Sequence, residues 1–232
     1  MALGSIGKDL TMSEQVSTNK QGQSLGRKGL ATRERLLKAA ERLLKARSPL
    51  DLTAVAIAKE AQTSCATFYM YFDDVKDAFF SLSEVAGDDV VAKMESFDSD
   101  PAEVGYERAA TEMVLAFSEV WNKHRHILRY RNLEADRGDS RFEKHRMNAY
   151  IREVSVLSKW IQASGSGGDK PSLGDSFGLA TVLHAALERL ASLDPHIVED
   201  GIGMPRFVAA QARIIAQVLA DTPKWGRLPI GK

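Results

Sequence analysis

A single cysteine, Cys65, among 232 residues excludes an internal disulfide, and with it a small secreted fold held by staples; a reducing, cytoplasmic setting is expected. No apolar run approaches the roughly 20 residues of a membrane-spanning helix, so no membrane partner is expected. Period-two alternation is missing over any useful length, which argues against a β-sheet fold, and no internal repeat is present. Catalytic motifs are absent as well. There is no Gly-x-Ser-x-Gly and no metalloprotease helix motif, and "GSGGD" lacks both the preceding strand and the glycine spacing of a phosphate loop. His124 and His126 stand two apart, on different sides of a helix, and cannot chelate one ion well. The chain therefore reads as neither an enzyme nor a metalloprotein, and no cofactor is expected.

What is present is a chain that is 44% hydrophobic and formally neutral, with an uneven spread of charge. Lys20, Arg27, Lys28, Arg33, Arg35, Lys38, Arg42, Lys45 and Arg47 face only Glu34 and Glu41 between positions 20 and 47. The remainder is correspondingly acidic. Either the basic segment meets a polyanion or it forms a solvated helix face; charge alone leaves both open. Residues 1–26 are polar and rich in Gly, Ser and Gln, as in a flexible leader.

Helical periodicity dominates. Thr32 is placed to cap a first helix through "RERLLKAAERLLKA", ended by Ser48-Pro49. Thr53 can cap a short second helix whose Val55, Ile57, Ala58 and Ala61 pack inward. A third short helix starts near Ser64, and Asp73 or Asp74 caps a fourth from Val75 toward Met94. "DPAE" at 100–103 is a strong helix start, expected to run to about Arg125. A short helix "ILRYRNLEA" then stops at "DRGD". A long helix over about 140–163 carries Phe142, Met147, Tyr150, Ile151, Val154, Leu157 and Ile161. "SGSGGDKPS" is a loop, and two last helices lie near 173–193 and 205–220. The fold class expected is all-α: a leader (1–26), an N-terminal three-helix domain (27–74) and a larger C-terminal helical domain (75–232).

The uncharged stretch "TSCATFYMYF", Thr63 to Phe72, falls on the second of two short helices joined at "AQTS". In a helix-turn-helix that helix enters the major groove of DNA while the first crosses the backbone. Phe68 and Phe72 lie about 40° apart on a helical wheel and can both anchor it to the core. Thr67 and Met70 fall on the far side, with Tyr69 and Tyr71 flanking.

"LTAVAIAKEAQTSCATFYMYFDDVKDAF" resembles the DNA-binding helices of the TetR (tetracycline-repressor) family of bacterial regulators, and "TRERLLKAAERLL" resembles their first helix. The likeness covers about residues 32–80; beyond it "RNLEADRGDSRF" is similar to a short-helix segment of some members. It implies that Thr53 touches phosphate, that Ser64, Cys65, Ala66, Thr67 and Met70 face the groove, and that Tyr69 and Tyr71 hydrogen-bond phosphates. Arg27, Lys28 and Arg33 add phosphate contacts from the arm and first helix. The sequence departs from the family at three places. Gln62 replaces the turn glycine, Val75 replaces a lysine with Lys76 one step along, and Ala54-Val55-Ala56 occupies positions where members often place a basic residue. A recognition helix with no Arg or Lys cannot make bidentate guanine contacts, so specificity is expected from thymine-methyl contacts by Ala66, Thr67 and Met70 and from DNA shape.

The expected function is a ligand-responsive transcriptional regulator, a repressor released from a palindromic double-stranded operator by a small apolar molecule. A cavity between the long helices would be lined by Tyr106, Met113, Phe117, Trp121, Tyr150, Val154, Phe177 and His184, although ordinary core packing is the default for most of the aromatic residues and a hydrogen-bonded core histidine the commoner role for His184. The last two long helices, apolar around much of their circumference, are the expected homodimer contact. Two other readings remain: a redox sensor acting through Cys65, for which periodicity and the resemblance disagree on which way the thiol faces, and a helical interaction protein that does not bind DNA.

Overall fold

The computed structural model describes residues 25–164 and 170–220. Most of the leader and the centre of "SGSGGDKPS" lie outside them, as does Lys20. The described residues form ten α-helices and a single 3-10 turn, with no strand among them. Two compact units divide between Ser83 and Glu84, inside the fourth helix.

In the first unit α1 spans Arg27–Ala46, α2 Ala54–Glu60 and α3 Cys65–Tyr71. Helix α1 begins a turn and a half before the expected cap. Its N-cap is Gly26, and Thr32 instead sits inside the helix, its hydroxyl donating to the Lys28 carbonyl at 3.0 Å. That i−4 bond satisfies a threonine hydroxyl in mid-helix, which is how a good capping residue came to lie where no helix starts. Leu36, Leu37, Ala40 and Leu44 are buried as the periodicity requires. In α2 Ile57, Ala58 and Ala61 are buried, but Val55 is 63% exposed and Ala54 takes the inward position. The turn between α2 and α3 holds Gln62 at φ 54°, the only left-handed non-glycine among the described residues.

Helix α4 (Val75–Glu95) starts with a reciprocal cap: Asp77 N donates to Asp74 Oδ1 at 2.7 Å and Asp73 N to Asp77 Oδ2 at 3.1 Å. Next come α5 (Pro101–Val104), α6 (Tyr106–Asp136), α7 (Ser140–Ser164), α8 (Leu173–Ala191), α9 (Pro195–Gly201) and α10 (Met204–Ala220). Two expectations fail here. The helix begun at "DPAE" ends after one turn, because Gly105 adopts φ 88°, a region open to glycine and costly to other residues. "ILRYRNLEA" is no separate helix; it continues α6 without a break to Asp136, where Arg137 and the left-handed Gly138 close it. The short α9, capped by Asp194 through His196 N at 2.9 Å, was not anticipated.

Helix α6 is the axis of the second unit and packs on α10 and α7, while α7 packs on α8. Met113, Phe117, Trp121, Leu128, Phe142, Val154, Leu157 and Ile161 form its core. Met147 and Ile151 on α7 are exposed at 48% and 42%. Lys123 and His124 on α6 both hold Asp89 of α4, at 2.7 and 2.8 Å. The Lys123 hydrogen bond, seconded by His124, keeps that carboxyl below its ordinary value.

A left-handed backbone costs a side chain-bearing residue about 1–2 kcal/mol, partly offset by the greater unfolded-state freedom of glycine. Gln62→Gly is therefore expected to raise stability by about 0.5–1 kcal/mol, read as a higher denaturant midpoint with an unchanged slope; a lower midpoint would mean that the glutamine side chain holds the turn.

Candidate DNA-binding helix and interhelical cavity

Helix α3 is a seven-residue helix held at its start by Ser64. The serine Oγ accepts from Thr67 N at 3.0 Å and lies 2.8 Å from the Thr67 hydroxyl. One face is dry: Phe68 and Phe72 are fully buried, their ring centroids 5.4 Å apart. Away from it Ala66, Tyr69 and Met70 are exposed, with Thr67 and Tyr71 half-buried. The Thr67 hydroxyl is already engaged by Ser64, which leaves its methyl as the unpaired part of the side chain. Cys65 falls between the two faces, one turn before Phe68, and its thiol is free of any disulfide.

Thr53 caps α2, accepting from Ala56 N at 3.1 Å, and is exposed. Arg27 and Lys28 are exposed in the first turn of α1, which contains no acidic residue and no side-chain cap. The Tyr71 hydroxyl approaches this end, since a Cβ built on Gly29 would stand 3.6 Å from it. Arg33 is turned inward: its Nη2 donates to Ser81 Oγ at 3.0 Å and its guanidinium lies 5.3 Å from the centre of the Phe72 ring. Lys76 is half-buried. Of the other basic residues of α1, Lys38, Arg42 and Lys45 are paired with Glu34, Glu60 and Glu41, and Arg35 donates to Thr32 Oγ1 at 3.4 Å.

The second unit holds a cavity of about 150 Å³ between α6, α7 and α8, lined by Arg131, Arg146, Met147, Tyr150, Glu153, His184 and Glu188. That lining differs from the apolar and aromatic set expected. Of the eight residues named from the sequence only Tyr150 and His184 reach it. Met113, Phe117, Trp121 and Val154 are buried in the core, and Tyr106 and Phe177 are half-buried outside the lining. Phe117 does touch the cavity wall from behind, edge to face with the His184 ring at 6.1 Å.

The floor is charged and dry. His184 Nε2 meets Glu153 Oε2 at 2.6 Å, with both side chains about 95% buried or more. Arg131 is 3% exposed; its Nε donates to Asn132 Oδ1 at 3.1 Å and its Nη2 to Glu188 Oε1 at 3.3 Å. Burial pushes the Arg131 guanidinium below its ordinary pKa, against the pull of Glu188 and Glu153. Two buried atoms of this floor have no hydrogen-bond partner: Arg131 Nη1 and His184 Nδ1. The more exposed Arg146 and Met147 form the rim, Arg146 held by Asp136 at 2.6 Å. Sequence reasoning missed Arg131, Arg146, Met147, Glu153 and Glu188 as cavity residues. A signal existed for two. Arg131 sits three beyond Leu128 and four before Ala135, and Glu153 three beyond Tyr150 and four before Leu157, so each charge interrupts an apolar stripe.

Residues 101–218 match the family described as tetracyclin repressor-like, C-terminal domain, and residues 36–81 match bacterial regulatory proteins, tetR family. The chain belongs to the TetR family. It is a DNA-binding transcriptional regulator, and regulators of this family are in general not enzymes. Among solved structures, Salmonella enterica GusR is 18% identical, covering 82% of this chain and 96% of its own, with a TM-score of 0.63. A protein of unknown function from Rhodococcus sp. RHA1 is 22% identical over 82% of this chain and 95% of its own, also at 0.63. The fatty acid degradation regulator FadR from Bacillus halodurans is 14% identical over 85% and 97%, at 0.58. At these identities the likeness is one of fold. No curated protein sequence matches the chain. Among the described residues no helix is long and apolar enough to cross a membrane, and no group of three His, Cys, Asp or Glu is placed to hold a metal ion.

Removing one partner of a buried hydrogen bond leaves the other unsatisfied, at about 1–3 kcal/mol, whereas replacing both with apolar groups of similar shape can be nearly neutral. His184→Leu is accordingly expected to destabilise by about 1–3 kcal/mol and the double variant His184→Leu/Glu153→Leu to recover most of that. A double-mutant cycle by chemical denaturation checks it; additive losses would show that the two side chains do not act as a pair.

Proposed function

We propose that this chain is a homodimeric repressor that reads a palindromic operator with helix α3 and leaves it when a small molecule occupies the α6–α7–α8 cavity. The observation that carries the DNA half is the two-faced α3, with Phe68 and Phe72 dry and Ala66, Tyr69 and Met70 exposed away from them. A face of methyl groups with one phenol suits thymine methyls and groove shape better than guanine edges. Affinity then rests on phosphates. The first turn of α1 supports that role: two exposed cations stand where the helix dipole is already positive, with no carboxylate to offset them. Arg27, Lys28, Thr53, Tyr69 and Tyr71 are the proposed phosphate contacts, with Lys76 at the edge. Arg33 acts by packing on Phe72 and positioning α3.

For the dimer, α8 presents Val182, 66% exposed, with Ala185 and Ala186, and α10 presents Ile214, 59% exposed, with Ala210. Small and branched apolar residues exposed on each of these helices suit an isologous four-helix contact. The effector enters a cavity with a charged floor, so it carries polar groups; an apolar molecule would leave Arg131 Nη1 and His184 Nδ1 unsatisfied at about 1–3 kcal/mol each. Helix α4, whose residues 75–83 belong to the first unit and whose Asp89 is held by Lys123 and His124 of the second, is the proposed transmitter. A hundredfold loss of operator affinity needs about 2.8 kcal/mol of coupling, within the usual allosteric range.

Selection of bound duplexes from a random pool is expected to return a palindrome whose half-sites are about one helical turn, or a multiple, apart, and whose affinity falls steeply with salt. Thymine to uracil at the contacted positions should weaken binding, with Met70→Ala abolishing the difference. No enrichment at low salt would leave α3 without a DNA role.

Val182→Glu and Ile214→Glu are each expected to shift the protein from dimer to monomer in sedimentation velocity, while the helical circular dichroism signal is retained. A dimer undisturbed by both would place the contact on another face.

A further inference from the structure

Taking the ligand-responsive reading as its basis, we infer that the α6–α7–α8 cavity binds a small organic carboxylate, gripped by Arg131. The cavity is lined by two carboxylates and two guanidinium groups, so either sign of ligand could be imagined. Their partners decide between them. Glu153 already receives His184 Nε2, and Glu188 Oε1 receives both Arg131 Nη2 and Asn132 Nδ2, the latter at 3.0 Å. Arg146 is held by Asp136. The buried donor left over is Nη1 of Arg131, 3% exposed and without an acceptor. A guanidinium has five N–H groups and accepts nothing, so the missing partner is an acceptor. Because the guanidinium is buried and one acidic partner sits at 3.3 Å, an anionic acceptor gains most: charge-assisted bonds in a dry site are stronger than neutral ones.

His184 supplies the second requirement. With Nε2 committed to Glu153, the orphaned Nδ1 offers one further hydrogen bond. It accepts in the neutral tautomer and donates in the cation, and a ligand hydroxyl can satisfy either. Tyr150 and Met147 contribute an aromatic edge and a flexible thioether to the wall, surfaces that suit a hydrocarbon or ring body. The volume fixes the size. About 150 Å³ equals the engineered apolar cavity that admits benzene, and is well below the roughly 300–1,000 Å³ of sites for drug-sized ligands. The occupant is thus a carboxylate with a body no larger than a single ring, with a hydroxyl as its natural second group.

Isothermal titration of the full chain with acetate, propionate, benzoate and 4-hydroxybenzoate, against benzamide and benzylamine at matched ionic strength, tests this. At least one carboxylate is expected to bind, benzamide and benzylamine to bind more weakly, and Arg131→Gln to lower carboxylate affinity about tenfold or more. Glu188→Gln, which removes the competing anion and leaves Nη1 in place, is expected to hold or raise that affinity. It decides the matter even where Arg131→Gln misfolds. Equal binding of benzamide, preference for benzylamine, or loss of carboxylate binding in Glu188→Gln would overturn the inference. Absence of any binding by a protein that still binds its selected operator would also overturn it, and would leave the DNA-reading function intact. Conversely, Arg131-dependent carboxylate binding with no effect on operator affinity, chloride replacing the carboxylate salt as control, would keep the anion site and remove the effector role.

Discussion

Everything the first unit can do depends on burying Phe68 and Phe72. A helix of seven residues is far too short to persist alone, because nucleation is unfavourable and propagation has no length over which to recover it. Two fully buried phenylalanines, each contributing about 1.5–3 kcal/mol relative to exposure, fix α3 in place. The Ser64 cap adds about 1 kcal/mol. This constraint also explains why the stretch carries no charge. Half of its circumference must be dry, and the exposed half consists of small or hydroxyl-bearing side chains and one methionine. Arg33 belongs to the same device, stacking its cation on Phe72 and reaching Ser81, an interaction of about 0.5–2 kcal/mol. A basic residue counted toward DNA by its charge therefore serves the fold by its geometry.

The second unit shows the opposite arrangement, polar groups placed where a helical bundle would be most stable without them. A bundle of this size could fill the space between α6, α7 and α8 with leucine. Instead Arg131, Glu153 and His184 are buried there with Asn132 and Glu188 at their side, and two of their atoms lack partners. Such a network costs stability relative to an apolar core, and a half-satisfied one costs more. Elsewhere in the unit Met113, Phe117, Trp121 and Leu128 are buried in an apolar core, and buried polar groups recur there too, with Ser158 Oγ and Trp160 Nε1 also lacking partners. What sets the cavity apart is that several of its buried polar residues are charged and stand together.

Against that background the sequence was most legible where local rules act alone. Thr53, Ser64 and Asp74 cap the helices they were expected to cap, and the dry pair of phenylalanines followed from spacing. Legibility failed where a residue had two permitted roles. Thr32 could cap or back-bond, and it back-bonds. Gly105 could sit within a helix or break it, and nothing in "EVGYER" states that its φ is positive. Val55 and Ala54 both fitted an inward position on a helix too short for periodicity to choose. The cavity was hidden for a different reason. Aromatic residues at helical spacing describe a core and a pocket equally well, so Trp121 and Phe117 were weighed as cavity walls when they are filling. The informative residues were charges out of phase with the surface, Arg131 and Glu153, which a search for apolar pockets passes over.

The two units then pose complementary physical problems. Helix α3 presents little charge and must gain its affinity from surrounding phosphate contacts, which are salt-dependent and indifferent to sequence. Such contacts act as a set: a small displacement of the head weakens several together, so a modest coupling energy has a large effect on occupancy. The cavity is suited to supply such an energy, because a ligand that completes an unsatisfied buried network gains more than its surface area predicts. Binding counts toward regulation only to the extent that it differs between the DNA-bound and free conformations. A guanidinium with an unused donor is the kind of group for which that difference is large, since satisfying it is close to all-or-none: a shift of an ångström separates a charge-assisted bond from a buried charge without an acceptor. Nη1 also stands beside α4, where a Cβ built on Gly87 would lie 3.5 Å away and one from His145 Nε2 only 2.5 Å. The absence of a side chain at Gly87 is what lets Arg131 and His145 approach the backbone of α4 so closely, and it gives an anion held at Arg131 a short path to that helix.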